Sequence, residues 1–287
     1  MSKFIRYFTC LLFLSSFSSA IYAEEPDLLG KLDAHNFVEL GSVLNGLQKN
    51  FEAGYSSETA LRNTYRPFYK LSEKQELALR QWVKVAPTSY PAHLALGIFL
   101  KKAGQDARGQ RYISETPKEN IDEMERLFAL SRAEFGISLG LTNKPYLTVF
   151  HLLDISIAEG DEKTTEMLLA QANRIFPGNR LARTRYLVSL EPRWGGSYLK
   201  MKQFIADTKK QGVDQGGILQ LEAILYQDLG QTAWEAGDDK GATINFLAAL
   251  DRAKKIGGSF RQDWLYESMI HVCSGTSEYQ EYCQEIK

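Results

Sequence analysis

Apolar residues recur at intervals of three and four along almost the whole chain, and this periodicity restricts the fold more than any other feature of the sequence. Side chains at those intervals share one face of a helix, so each stripe predicts an amphipathic helix. The first clear stripe comprises Phe37, Leu40, Val43, Leu44, Leu47 and Phe51. The alternating pattern typical of β-strands is almost absent, and most prolines occur where helices should begin or end. The sequence therefore predicts an all-α protein.

A second level of order is a repeated pattern of small and bulky residues, clearest over residues 223–254. The small residues Gly230 and Ala242 would let two antiparallel helices approach closely, with a turn at Gly237-Asp238 between them. Bulky residues at Tyr226, Leu229 and Phe246 would fill the remaining space. This spacing is typical of a tetratricopeptide repeat, a helix pair that stacks on neighbouring pairs.

Two weaker copies of the pattern precede this one. The first runs over residues 145–177, and the second begins at His93, with a predicted turn at Gly104 and an insertion over residues 105–120 before its second helix. We therefore expect an all-α, tetratricopeptide-like α-solenoid of antiparallel helix pairs with an N-terminal helical cap. Its single domain, residues 24–287, would comprise N-terminal helices (24–86), repeats that include the insertion (87–178) and C-terminal repeats (179–287).

The first residues have the pattern of a secretory signal peptide rather than of a folded segment. Lys3 and Arg6 supply the positive start, and Leu11–Phe17 is an apolar run that is too short to span a membrane as a helix. Cleavage after Ala20 or Ala23 fits the small residues that follow. We therefore expect residues 1–23 to be removed and the mature protein to be exported, to the periplasm or the outside of the cell.

Net charge and composition limit the classes of partner that we expect for the mature chain. Residues 1–23 hold two of the 34 basic residues and none of the 35 acidic ones, so the mature chain has 32 against 35, a net charge of −3. This balance gives no electrostatic reason to expect nucleic acid or a membrane surface as a partner. No later segment approaches the ~20 apolar residues of a transmembrane helix, so we expect no membrane insertion.

The mature chain keeps two cysteines, Cys273 and Cys283. Because exported proteins meet an oxidising environment, we expect a disulfide between them, which would close a short loop near the C-terminus. The alternative is a metal site that adds His271, but this set lacks a fourth ligand at a usual spacing. We therefore expect neither a metal nor a cofactor.

Three longer strings resemble a bacterial family classed as a domain of unknown function, of about this length and with tetratricopeptide-like helices. They are Trp82–Gly97 (W-V-K-V-A-P-T-S-Y-P-A-H-L-A-L-G), Ala107–Gly109 (A-R-G) and Glu191–Met201 (E-P-R-W-G-G-S-Y-L-K-M). The resemblance extends over about residues 28–270, and P-R-W-G-G-S is its most specific string. The family usually has A-R-G where this chain has Ala95-Leu96-Gly97, so that arginine is missing here. The resemblance implies a helical fold and no particular activity.

No complete catalytic motif accompanies these strings. Ser197 and Lys200 have the S-x-x-K spacing of penicillin-binding enzymes, but the S-D-N and K-T-G elements of those enzymes are absent. We expect Ser197 to cap a helix over Tyr198–Lys210 instead. His151 and Asp154 lie one helical turn apart, and we expect a hydrogen bond on a helix face rather than part of a metal site. The sequence therefore predicts no catalytic residue.

A basic stretch offers candidate binding residues. Seven basic residues and one acidic residue, Glu191, lie between Arg174 and Lys202. These bases could be solvated, could pair with an acidic segment such as residues 115–125, or could bind an external acidic peptide. Our candidate binding residues are Arg180, Arg183, Arg193, Trp194, Arg108 and His93.

The last four candidates also have structural interpretations. Trp194 could fill the seam between repeats, and Arg193 could cap carbonyl groups at a helix C-terminus. Arg108 could hold the insertion against the body of the domain, and His93 could hydrogen-bond that insertion.

The sequence thus favours an exported, non-enzymatic protein-binding or scaffold module, with a protein or an acidic peptide as partner. The alternatives are an envelope enzyme or small-ligand binder with a site around Trp194–Ser197 and Arg108, an immunity-type protein that neutralises a toxin, and a purely structural protein. A buried, convergent polar cluster with a perturbed acid or base would favour the enzyme. A large apolar surface patch would favour the structural role.

Overall fold

A computed structural model describes residues 26–110 and 115–256, and over these residues the protein is all-helical, with no β-strand. The predicted signal peptide and the Cys273–Cys283 disulfide lie outside the described residues. The helices are α1 (Leu28–Asp33), α2 (Phe37–Glu52), α3 (Glu58–Thr64), α4 (Glu73–Val85), α5 (Tyr90–Arg108), α6 (Lys118–Ser138), α7 (Tyr146–Ala158), α8 (Glu162–Ile175), α9 (Leu181–Ser189), α10 (Tyr198–Lys210), α11 (Gln215–Glu235) and α12 (Asp239–Ile256). Short 3₁₀-helices lie at Arg66–Tyr69, which contains Pro67, and at Pro192–Trp194.

Local capping residues determine where several helices begin. A capping box is present at the start of α4, where the Ser72 hydroxyl accepts from the backbone N–H of Gln75 and the Gln75 side chain accepts from that of Ser72. Ser197 caps α10 at the predicted residue, with its Oγ 3.2 Å from the backbone nitrogen of Lys200. The S-x-x-K spacing is therefore a helix start.

Helices α5 and α6 pack closely because two glycines of α5 make room for two phenylalanine rings of α6. A Cβ atom added to Gly97 would overlap the ring of Phe135, and one added to Gly104 would lie 2.9 Å from ring carbons of Phe128. The predicted turn at Gly104 is therefore wrong, since this glycine lies inside α5 and makes close packing possible. Helix α5 continues to Arg108 and α6 already begins at Lys118, so both helices extend into the segment predicted as an insertion.

The same contact recurs between α11 and α12. A Cβ atom on Gly230 would lie 2.5 Å from the ring of Phe246, and Ala242 is fully buried beside it. Gly237, in the turn between the helices, has a positive φ of 77°, which an L-residue with a side chain rarely adopts. The close approach and the turn expected from the sequence are both present here.

Helices α5 and α7 lie at the centre of the larger hydrophobic core, and almost every residue of α7 is buried. Helix α5 contacts α2, α4, α6 and α7, while α7 contacts α8 and α9 as well. A second, smaller core lies between α9, α10 and α11 around Leu187, Met201 and Leu221. Some polar groups on α5 and α7, among them Lys101 and His151, are therefore enclosed by neighbouring helices.

A carboxylate from the N-terminal part of the chain caps a helix in the C-terminal part. Helix α9 has no capping side chain of its own. Glu58, the first residue of α3, accepts instead from the backbone N–H groups of Arg180 (2.5 Å) and Leu181 (3.3 Å), and the Tyr146 hydroxyl also donates to it. A negative charge is favourable at a helix N-terminus, so Glu58 links α3, α7 and α9.

The glycine–phenylalanine contact can be tested with two glycines in different surroundings. We expect Gly230→Leu to lower the free energy of unfolding by about 1–3 kcal/mol, because the added side chain overpacks the Phe246 ring. Gly136 is the control, because its Cβ would have no neighbour within 4 Å. Gly136→Ala should raise that free energy by about 0.5–1 kcal/mol through helix propensity. Urea unfolding measures both changes, and equal effects of the two substitutions would contradict the packing.

The Glu58 cap predicts a pH dependence. Burial raises the pKa of Glu58 above 4.5 despite the hydrogen bonds from Tyr146 and the α9 backbone. A raised folded-state pKa adds stability that is fully present below 4.5 and is lost as the pH rises through the folded-state value. Relative to Glu58→Gln, the wild type should therefore lose stability as the pH rises from 4.5 upward. Glu119→Gln, at an exposed glutamate, should follow the wild type, and a Glu58→Gln profile parallel to the wild type would refute the expectation.

Candidate functional site

The P-R-W-G-G-S segment forms a fixed turn between α9 and α10. Its 3₁₀-helix, Pro192–Trp194, ends at Gly195, which is left-handed with a φ of 88°. Gly196 lies against the backbone of Leu190 so closely that a Cβ atom would overlap the carbonyl group. Each glycine is therefore required for a different reason, the first by its backbone angle and the second by the space available.

An ion pair and hydrogen bonds of a tyrosine hydroxyl hold this turn and the start of α10 against α11. The Arg193 guanidinium contacts Glu191 at 3.1 Å and pairs with the buried carboxylate of Asp228 on α11. The Tyr198 hydroxyl bonds to the Thr232 hydroxyl at 2.6 Å and donates to the carbonyl oxygen of Asp228 at 3.2 Å. Arg193 therefore pairs with carboxylates of this region and not with the acidic residues 115–125.

Trp194 extends from the turn to the surface instead of filling a seam between helices. Its side chain donates a hydrogen bond to Glu191, yet the residue remains 54% exposed. Leu199, at the start of α10, is 78% exposed. Burial raises the pKa of Glu191, and both Arg193 and the Trp194 hydrogen bond oppose that rise. We call Arg193, Trp194 and Leu199 the tryptophan surface.

Two of the other candidate arginines, Arg180 and Arg183, do not join this surface. Arg180 pairs with Asp214 at 2.9 Å, at the start of α11, whereas Arg193 pairs with Asp228 in its middle. At 1.5 Å per residue these aspartates lie about 21 Å apart along α11, so the basic stretch is not one cluster. Arg183 is only 2% exposed and bonds to the side chains of Asn173 and Gln211. It is a core residue, and no peptide could contact it at the surface.

His93 and Arg108 lie at opposite ends of α5. His93 is buried, with Nδ1 2.6 Å from Glu134 on α6 and Nε2 2.9 Å from the carbonyl oxygen of Pro87. Both ring nitrogens therefore have partners outside the segment 105–120, to which a hydrogen bond was expected. The Nε atom of Arg108 is buried without a hydrogen-bond partner. Asn120 links the end of α5 to the start of α6, because its side chain donates to the carbonyl oxygen of Ala107 at 2.8 Å.

A buried ionic cluster, which the sequence analysis missed, lies between α5, α7 and α9. The Lys101 ammonium is 2.6 Å from Asp154 and 3.0 Å from the Nδ1 atom of His151, and the Nε atom of Arg185 is 2.6 Å from the other Asp154 oxygen. The side chains of Lys101, His151 and Asp154 are 4%, 1% and 5% exposed. The spacing of His151 and Asp154 was the one sequence signal for this cluster. Their partner Lys101 gave no signal, because in sequence it looks like the polar end of an apolar helix.

Burial and mutual attraction determine the charges in this cluster. Burial lowers the pKa of Lys101, and Asp154 opposes that change. Burial and the Lys101 charge hold the pKa of His151 well below its usual range, so the imidazole is neutral. Burial alone would raise the pKa of Asp154, but Lys101 and Arg185 lower it below its ordinary value. The Lys101 ammonium and the Asp154 carboxylate thus lie in contact, enclosed by neighbouring helices.

In residues 26–110 and 115–256, no group of three or more histidine, cysteine, aspartate or glutamate side chains could hold a metal ion. Within the same ranges, no helix combines the length and apolar character that crossing a membrane requires.

The buried pair can be tested by removing one partner and then both. Lys101→Met should lower the free energy of unfolding by about 3–5 kcal/mol at pH 7, because Asp154 loses a buried partner. Lys101→Met combined with Asp154→Leu should recover part of that loss, since no charge is then left unpaired. Because the pKa of Asp154 is lowered, the effect of Lys101→Met should shrink as the pH falls below 3.8. Additive losses in the double variant would contradict a coupled pair.

Comparison with protein-family models, with curated proteins and with solved structures finds no match to this chain. The resemblance described above therefore depends on its three motif strings. The geometry of the described residues provides the argument for function.

Proposed function

We propose that this chain is an exported, non-enzymatic protein-binding module, built as a tetratricopeptide-like solenoid of antiparallel helix pairs with an N-terminal cap. The contacts α5–α6, α7–α8 and α11–α12 support the helix pairs. The contacts α5–α7, α7–α9 and α9–α11 support their stacking in a row, with the N-terminal helices packed against α5. Stacked helix pairs present extended surfaces to protein partners.

The observation that carries the proposal is the tryptophan surface. Trp194 and Leu199 are large apolar side chains that remain in water, while the turn between them is held by two constrained glycines and by contacts to α11. Protein interfaces are enriched in tryptophan and arginine, and such anchors contribute most where the free protein already holds them in place. Arg193 lies next to Trp194 and offers a polar contact at the edge of the same surface.

The charges around this surface favour an acidic partner. Lys200 and Lys202 are exposed and form no ion pair with the described residues, whereas the nearby acidic side chains Glu191 and Asp228 are mostly buried. The first turn of α10 contains no acidic residue, so its positive helix end adds to the same potential. A protein or peptide segment with carboxylates beside an apolar residue would complement this arrangement.

The enclosed ionic cluster favours a binder over an enzyme. A catalytic acid or base must reach its substrate, but Lys101, His151 and Asp154 are covered by neighbouring helices. Near Trp194, the buried carboxylates of Glu191 and Asp228 are already paired with Arg193, and these pairs hold the turn in place.

The test compares two exposed apolar residues. Trp194→Ala should remove capture of the partner from the envelope fraction, while Leu77→Ala, at a 63% exposed residue on α4, should retain it. Both variants should fold, with changes in unfolding free energy of about 1 kcal/mol or less. Captured proteins are identified by mass spectrometry, and Leu199→Ala should lose the same protein as Trp194→Ala. Equal capture by all variants would refute the tryptophan surface as the binding site.

A second measurement tests the acidic character of that partner. Capture should weaken as salt rises, because exposed charges are screened within about 8–10 Å at physiological ionic strength. Replacing Lys200 and Lys202 together with glutamine should weaken capture and flatten its salt dependence. Unchanged capture by this variant would show that the partner is recognised through apolar contacts and is not acidic.

A further inference from the structure

Positive charge exceeds negative charge around the middle of α7. Lys101 and Arg185 both approach Asp154, and Arg62 on α3 lies over the ring of Phe150, 5.9 Å from its centroid. Arg62 and Arg185 also both act on His151 as positive charges. Three cations thus lie along this part of α7, two of them in contact with Asp154, while His151 is neutral.

The two arginines have unused hydrogen-bond donors. The Arg62 side chain forms no hydrogen bond or ion pair with any described residue, and it lies over the face of Phe150. Arg185 approaches Asp154 most closely through Nε, and its two terminal nitrogens form no hydrogen bond with the described residues. Arg62 is partly exposed and Arg185 is exposed, so both guanidiniums can be reached from solvent. The Nε2 atom of His151, which is buried, also has no hydrogen-bond partner in the part of the chain that the structure describes.

The two guanidiniums lie against neighbouring turns of one helix. Phe150 and Asp154 are four residues apart on α7, which is one helical turn. Like charges held this close to a buried cluster repel each other, and the single carboxylate of Asp154 is already shared by Lys101 and Arg185. A guanidinium presents its N–H groups as a planar fork that matches the oxygens of a carboxylate or a phosphate.

We propose that Arg62 and Arg185 form a binding site for an oxyanion, a carboxylate or phosphate group, at the surface between α3 and α9 and above α7. The oxygens of the ligand accept hydrogen bonds from both guanidiniums and offset the excess positive charge. Asp154, itself held by Lys101, orients Arg185 by contacting its Nε atom and leaves the terminal nitrogens for the ligand. Asp154 and Lys101 are positioning residues here, since neither contacts the oxyanion. The site involves different residues from the tryptophan surface and does not depend on the proposed function.

The first experiment measures thermal unfolding of the mature chain in sodium phosphate and in sodium succinate, each against sodium chloride at equal ionic strength. At saturating concentration we expect either anion to raise the Tm by about 5 °C or more relative to chloride. A rise with phosphate alone assigns the site to phosphoryl groups, and a rise with succinate alone assigns it to carboxylates. No rise with either anion would overturn the proposal.

Variants locate the site. Arg62→Gln and Arg185→Gln should each abolish most of the rise, whereas Arg126→Gln, at an exposed arginine of α6 that pairs with Glu123, should retain it. Arg62→Lys keeps the charge but loses the planar fork, so it should retain only part of the rise. An equal rise in all variants would show a general salt effect and overturn the site.

A further readout separates binding from folding. In chloride alone, Arg62→Gln should melt at or above the wild-type Tm, because it removes one unpaired positive charge from a region with excess positive charge. A lower Tm for Arg62→Gln in chloride, together with an anion-induced rise as large as in the wild type, would assign Arg62 to the fold and refute its role in binding.

Discussion

The cap that Glu58 places on α9 is the interaction on which much of the remaining structure depends. Helix α9 has no side chain of its own at its N-terminus to accept from its first N–H groups, and Glu58 supplies that acceptor from a residue 122 positions earlier in the chain. The start of α9 in turn determines where Arg183 and Arg185 point and where the turn with Trp194 begins. One carboxylate thus helps to place the buried arginine, the ionic cluster and the exposed tryptophan.

Features governed by residues close in sequence were predictable. The capping box at Ser72, the cap at Ser197 and the α11–α12 turn at Gly237 each depend on a few neighbouring residues, and the structure contains all three. The contact between Gly230 and Phe246 was also predictable, because a short turn brings those residues together. The all-helical fold follows from the same local periodicity.

Features that depend on distant residues were not predictable. In sequence, Gly104 resembles a glycine that ends a helix. Only the structure shows that the Phe128 ring occupies the space that a side chain at Gly104 would need. The basic stretch 174–202 looks like one surface in sequence, but burial of Arg183 and the separate aspartate partners of Arg180 and Arg193 divide it. Lys101 looks like the polar end of a helix, and only the tertiary packing of α5 on α7 reveals its pairing with Asp154.

The enclosure of α7 has a consequence for how the chain can acquire its structure. A stack of helix pairs that contact only their neighbours can fold progressively from one end. Here α7 contacts α3, which precedes it, through the Tyr146–Glu58 hydrogen bond and the Arg62–Phe150 contact, and it contacts α9, which follows it. The bond from Glu58 to Arg180 closes a loop of more than a hundred residues. Contacts so far apart in sequence form slowly, because the loop entropy must be lost first. The N-terminal half therefore cannot complete its packing during synthesis until α9 has emerged.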